Sequence, residues 1–150
     1  MLGDLVVLKT ILVALDSSEL SETVIKTLRD LKLQPETKVI LTHVISPHSS
    51  DLVSEAERPH TNLEEFPYRQ IEKQLQVHQN TLPCHSELEI VSGDPAEEII
   101  RLANIHHADL IVLGNRGLTG MKRILQGSVS SQVMADASCS VMVVKASPER

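Results

Sequence analysis

Leu113–Ser131 reads L-G-N-R-G-L-T-G-M-K-R-I-L-Q-G-S-V-S-S, and the apolar run Leu110, Ile111, Val112, Leu113 leads into it. A strand-like run, a glycine-rich stretch and a helical pattern therefore follow one another. Glycines fall at Gly114, Gly117, Gly120 and Gly127, and hydroxyls cluster at Ser128, Ser130 and Ser131. Glycine lets a backbone approach a ligand closely or take up positive φ. A helix opening at Gly127-Ser128 aims its first N–H groups and a partial positive charge at whatever lies before it. An anion suits that position, phosphate above all. A plain surface loop that needs glycine only to turn is the competing reading.

The rest of the chain supplies the same alternation of element types. Thr10–Leu15 (T-I-L-V-A-L) is a short continuous apolar run, as expected of a strand buried on both faces. Leu5 to Leu8 either lengthens it or packs as an arm. Asp16-Ser17-Ser18 breaks the run and offers helix N-cap candidates. Leu20, Val24, Leu28 and Leu31 then predict an amphipathic helix over Ser18–Lys32. Lys38–Ile45 (K-V-I-L-T-H-V-I) reads as a second buried strand. Ser46–Asn62 is polar, holds Pro47 and Pro59, and reads as a long connection able to cover a site. Leu63–Thr81 reads less cleanly as a helix, with an apolar stripe of Leu63, Ile71, Leu75 and Leu82 and a start near Pro67, because proline is tolerated in a first turn. His85–Val91 alternates as a third strand. Asp94-Pro95-Ala96-Glu97 is a strong helix start, and the apolar face runs to about His107. Asp109–Leu113 is a fourth strand, Ser128–Ala137 a helix and Cys139–Val144 a fifth strand.

Strands alternating with helices predict a parallel sheet covered on both faces, in one domain spanning residues 1–150. In such sheets ligands bind beyond the C-terminal strand ends, where the strand order reverses. Asp16, Val44 and Gly114 all fall at strand C-termini, so three separate pieces converge on one edge. Net charge is -6, from 14 Lys+Arg against 20 Asp+Glu. That balance argues against nucleic acid or an anionic membrane as a partner. The chain has one Tyr, one Phe and no Trp, so aromatic base-stacking platforms are absent and the core must be aliphatic. No run is long enough for a transmembrane helix. The only cysteines, Cys84 and Cys139, lack C-x-x-C spacing and read as reduced thiols of a cytoplasmic protein.

Familiar phosphate motifs fail on spacing. No G-x-x-x-x-G-K-[ST] occurs, and the first strand is followed by Asp16-Ser17-Ser18 instead of G-x-G-x-x-G. What occurs is G-x2-G-x9-G-S at Gly114, Gly117, Gly127 and Ser128. Together with I-L-V-A-L-D-S-S-E, T-H-V-I, G-D-P-A-E-E-I-I and A-D-L-I-V-L-G-N-R-G-L, this resembles the universal stress protein family from Thr10 to Lys145, in its ATP-binding subgroup. The resemblance implies a Rossmann-like five-stranded parallel sheet of order 3-2-1-4-5. It also implies a homodimer formed through the last strand, Cys139–Val144.

Carried over by resemblance, Ala14 and Leu15 would line the adenine, Asp16 would approach the ribose, and Val44 would contact the adenine. Leu113 and Gly114 would border the nucleotide, while Arg116-Gly117 would shape the adjoining turn. Gly127, Ser128, Val129 and Ser130 would offer donors to the phosphates, with Mg²⁺ carried on those phosphates. Ser17 departs from the glycine that many members have after the aspartate. Plainer readings stand beside these: Asp16 as an N-cap, the serines as helix-start hydroxyls, and Arg116, Lys122 and Arg123 as solvated charges. His43 reads as a packed or backbone-bonded residue, and His106-His107 as cations at a helix end, not metal ligands. No general base or arginine finger is evident, so no catalytic residue is expected. The functional expectation is a cytosolic ATP-binding sensor or regulatory module. A slow ATPase or phosphotransferase and a nucleotide-free dimerisation scaffold are the rivals.

Overall fold

The apolar runs pair with one another, and side-chain alternation gives each of them two faces to bury. The computed structural model describes residues 8–16, 18–46, 65–115 and 128–145. Five strands, β1 (Thr10–Ala14), β2 (Lys38–Ile45), β3 (His85–Ser92), β4 (Leu110–Asn115) and β5 (Ser140–Lys145), form one sheet in the order β3-β2-β1-β4-β5. Every pairing is parallel. Among the described residues there are four helices: α1 (Leu20–Asp30), α2 (Glu65–Gln79), α3 (Pro95–His106) and α4 (Ser128–Asp136). The expected five-stranded order is the one observed. No helix of the described residues is long and apolar enough to cross a membrane.

Alternation sorts the core into two. Ile11, Val13, Leu15, Val39, Leu41, Leu110 and Val112 pack with Leu20, Val24, Ile25 and Leu28 of α1 and Leu75 of α2. On the opposite face, Leu12, Ile40, Ile111 and Leu113 pack with Ala96, Ile99, Leu102 and Ala103 of α3 and Val133 of α4. Ile11, Leu12 and Val13 are fully buried in the middle strand. Each such side chain contributes about 1.5–3 kcal/mol through loss of its apolar surface from water. At the N-terminal sheet edge, the Asp109 carboxylate accepts from the amides of Lys9 and Thr10 at 2.9 and 3.0 Å, joining the starts of β1 and β4.

Local chemistry explains where the elements begin and end. Asp94 caps α3, its carboxylate accepting from the Glu97 amide at 3.1 Å with Pro95 in the first turn. His107 ends that helix in the left-handed conformation. The predicted caps of α1 behave otherwise: the helix starts at Leu20, two residues later than expected, and its N-cap Glu19 makes no side-chain capping bond. Instead the Asp16 carboxylate accepts from the Ser18 amide and hydroxyl, and the Ser18 oxygen accepts from the Leu20 amide. Asp16 closes a turn before the helix and does not cap it. Pro67 falls in the first turn of α2, as its missing N–H requires.

β4 also departs from expectation, continuing past Leu113 through Gly114 and Asn115 to pair with Val144 and Lys145. Gly114 is therefore a strand residue. A Cβ there would stand 2.5 Å from Leu20 Cδ2 and 2.9 Å from Leu20 Cγ, so glycine is what lets α1 lie against β4. Gly114→Ala is expected to destabilise the fold by about 1–3 kcal/mol, the usual cost of overpacking. The penalty should shrink in a Leu20→Ala background, as urea denaturation of the four-member cycle will measure. Equal penalties in both backgrounds would show that the Leu20 contact is not its cause.

Candidate functional site

The C-terminal ends of β1 and β4 adjoin at the point where the strand order reverses, with Ala14 opposite Leu113. The chain leaves β1 for α1 on one face, and α4, which follows β4, lies on the other. Connections that part in this way leave a crevice between them. α4 must run back along the sheet, because β5 begins beside Leu110, at the opposite edge from Asn115. Its N-terminus, Ser128, therefore points toward the strand C-termini.

Six of the expected residues converge there on one face. Ala14, Val44 and Val129 are partly buried against the α3/α4 core, and Leu113 is part of that core. Ser128 and Ser130 belong to the first turn of α4, Ser128 exposed and Ser130 buried. Together they form an aliphatic wall beside a helix N-terminus. Unlike α1 and α3, α4 has no acidic residue in its first turn, so its own side chains leave the positive end of the helix dipole uncompensated.

Leu15, Asp16 and Gly114 stand differently. The Leu15 side chain is buried in the α1/α2 core, so alternation separates it from Ala14. Asp16 is exposed beyond the end of β1 and held by its two bonds from Ser18. Gly114 faces α1 through the Leu20 contact. Arg116, Gly117 and Gly127 lie outside the described residues, as do Lys122, Arg123 and most of the 46–62 connection. Among the described residues no group of three His, Cys, Asp or Glu side chains could hold a metal ion.

Two residues near the crevice acquire roles that the sequence shows only faintly. His43 Nδ1 donates to the Leu15 carbonyl at 2.9 Å, while the Leu15 amide donates to the Thr42 carbonyl at 2.9 Å. Both backbone groups of Leu15 are thus tied to β2, which fixes where Asp16 begins. The expectation of a backbone-bonded His43 agrees with this arrangement. Asn115 is the second: its Oδ1 is buried without a hydrogen-bond partner among the described residues. It falls just beyond the predicted end of β4, where only the unbroken apolar run into Gly114-Asn115 hinted at a longer strand. Elsewhere, His106 Nε2 meets Glu89 Oε2 at 2.9 Å between α3 and β3. Cys84 and Cys139 are free, and burial raises both thiol pKa values, so neither is poised as a thiolate.

Burial holds the His43 pKa below the usual histidine value, with the Leu15 carbonyl and the Asp16 charge offsetting part of the effect. The unfolded chain therefore takes up a proton near pH 6.5 that the folded chain still refuses. Stability should be full above that pH and fall as the pH drops through the folded value. Burial lowers the His78 pKa as well, and acts in the same direction. His43→Asn keeps an N–H donor but does not titrate, so its urea midpoint should decline less than the wild type's between pH 7 and 5. Parallel curves would remove His43 from the account.

The model of the universal stress protein family matches residues 8–145. Universal stress protein MJ0577 of Methanocaldococcus jannaschii is 31% identical over 93% of this chain and 96% of its own length. Its solved structure superposes with a TM-score of 0.81, covering 96% of this chain and all of that one. Universal stress protein Sll1388 of Synechocystis is 30% identical over 90% of this chain and 96% of its own. The fold is also that of a universal stress protein crystallised with cAMP, at 23% identity and a TM-score of 0.67, over 94% of this chain and 99% of that one. The chain belongs to the universal stress protein family.

Proposed function

We propose that the chain binds an adenine nucleotide in the β1/β4 crevice, and that the nucleotide is ATP carrying Mg²⁺ on its phosphates. The observation that carries this reading is the aliphatic wall of Ala14, Val44, Leu113 and Val129 beside the N-terminus of α4. An apolar wall suits a purine, and a helix N-terminus with no acidic residue in its first turn suits phosphate. In this reading Val44 and Ala14 flank the base, and Leu15 contributes through its backbone alone. Asp16 accepts from the ribose, Gly114 offers its backbone, and the first turn of α4 holds the phosphates. Arg116, Gly117 and Gly127, outside the described residues, belong to the same proposed site by their place in the glycine motif. The relative crystallised with cAMP supports the same chemical class, a ribosylated adenine with phosphate.

Among the described residues the crevice brings together no nucleophile with an adjacent base, so binding and not turnover is the activity proposed. The role proposed with it is that of a cytoplasmic sensor or regulatory module, read out through the nucleotide it holds. β5 closes one edge of the sheet, pairing with β4 alone among the described residues. Its free edge is the surface proposed for a homodimer.

Isothermal titration with ATP, GTP and CTP under Mg²⁺ tests the reading. One saturable site per chain with preference for ATP is expected, and Asp16→Ala should weaken it about tenfold, the value of one good hydrogen bond to a charged group. Absence of saturable binding at millimolar ATP overturns the reading and favours a nucleotide-free scaffold.

A further inference from the structure

The two buried side-chain oxygens without a hydrogen-bond partner among the described residues are Ser21 Oγ and Asn115 Oδ1. Ser21 belongs to α1, whose residues pack on the face of the sheet away from the crevice wall. Asn115 is different. Strand alternation puts its side chain on the same face as Leu113, the α3/α4 side. It lies two residues farther along β4, about 7 Å beyond Leu113 toward the open edge. Its register partner is Lys145 of β5, an exposed cation at the same end. Asn115 thus belongs to the half of the crevice nearer α4 and not to the half walled by Ala14 and Val44. A buried amide oxygen left unpaired costs a fold about 1–3 kcal/mol, so one at a strand end beside a crevice points to a guest that supplies the missing partner.

The chemistry of the partner follows from the atom. An amide oxygen is an acceptor and a hard ligand, so a phosphate oxygen cannot meet it directly, whereas a cation or a water bound to one can. Among the described residues no cluster of His, Cys, Asp or Glu could hold a metal by itself. A cation reaching Asn115 must therefore arrive with ligands of its own. Mg²⁺ on a triphosphate does so: it keeps several waters and accepts one or two further oxygens from a protein. We propose that Asn115 Oδ1 supplies the chain's own oxygen to the divalent cation of the bound nucleotide, directly or through one of its waters. This rests on the crevice being the nucleotide site, and it gives Asn115, a variable position between Gly114 and Gly117 of the glycine motif, the role of making affinity depend on the metal.

Titration of wild type, Asn115→Leu and Asn115→Asp with ATP, each in Mg²⁺ and in EDTA, separates the possibilities. Asn115→Leu should lose about tenfold of the Mg²⁺-dependent gain in affinity, the usual effect of removing a group that supports a metal's ligand shell. Its affinity in EDTA should match the wild type's. Asn115→Asp, which keeps a hard oxygen in place, should retain the gain. The ligand-free Leu variant should unfold at the same or higher urea concentration than wild type, because a buried unpaired group has been removed. An unchanged Mg²⁺ gain in Asn115→Leu overturns the inference while leaving nucleotide binding intact. Equal losses in EDTA for both variants overturn it differently, by making the amide a direct phosphate donor. A wild type that binds no ATP sinks the nucleotide reading itself.

Discussion

The pairing of Ile11–Ala14 with Leu110–Leu113 is the interaction on which the rest of the molecule depends. It joins two strands whose following helices lie on opposite faces: α1 covers the face containing Ile11 and Val13, α4 the face containing Leu12 and Leu113. One ladder therefore does two things. It helps to bury Ile11, Leu12 and Val13 fully, and it forces the chain apart beyond Ala14 and Leu113. The crevice is a consequence of topology, present before any residue in it is chosen for chemistry.

Period-two alternation then divides the labour at that edge. Leu15 and Gly114 carry the α1 side: one is buried in the core, and the other has no side chain so that Leu20 can come close. His43 ties the Leu15 carbonyl to β2 on the same strand end. These are supports, and they leave Asp16 at a defined position. Ala14, Val44, Leu113 and Asn115 carry the α3/α4 side, where the helix N-terminus lies. A residue's neighbour in sequence is thus its opposite in function. Ala14 and Leu15, adjacent and both aliphatic, cannot line the same wall with their side chains.

Much of this was legible in the sequence because the relevant signals are local. Short aliphatic runs, the Asp94-Pro95 helix start and the alternation of periods one after another sufficed for a parallel sheet covered on both faces and for the edge on which a site was expected, whereas the strand order came from the family resemblance. One boundary went astray through a local turn and the other through a tertiary contact. Asp16 and Ser18 have the composition of caps, yet they bond to each other and to Leu20 in a turn, and α1 starts without a side-chain cap. Gly114 looked like the start of a flexible loop because glycine is a poor strand former. Its reason for being glycine is Leu20, ninety-four positions earlier in the chain. No reading by spacing alone could find that contact, nor the facing of Leu15 away from Ala14, since both require knowing which helix covers which face.

The end of β4 holds two departures from what a stable strand would choose, side by side. Gly114 gives up side-chain packing and conformational restriction, and Asn115 leaves a buried oxygen unpaired. The first has a structural return, since it admits α1. The second has none within the described residues. A domain whose net stability is about 5–15 kcal/mol feels a penalty of one or two, and a leucine in place of Asn115 would avoid it. Two buried aliphatic cores supply the margin that lets such a group persist. The asymmetry between neighbours is itself informative: where one exception to strand chemistry is explained by packing and the next is not, the unexplained one is the better place to test for the proposed ligand.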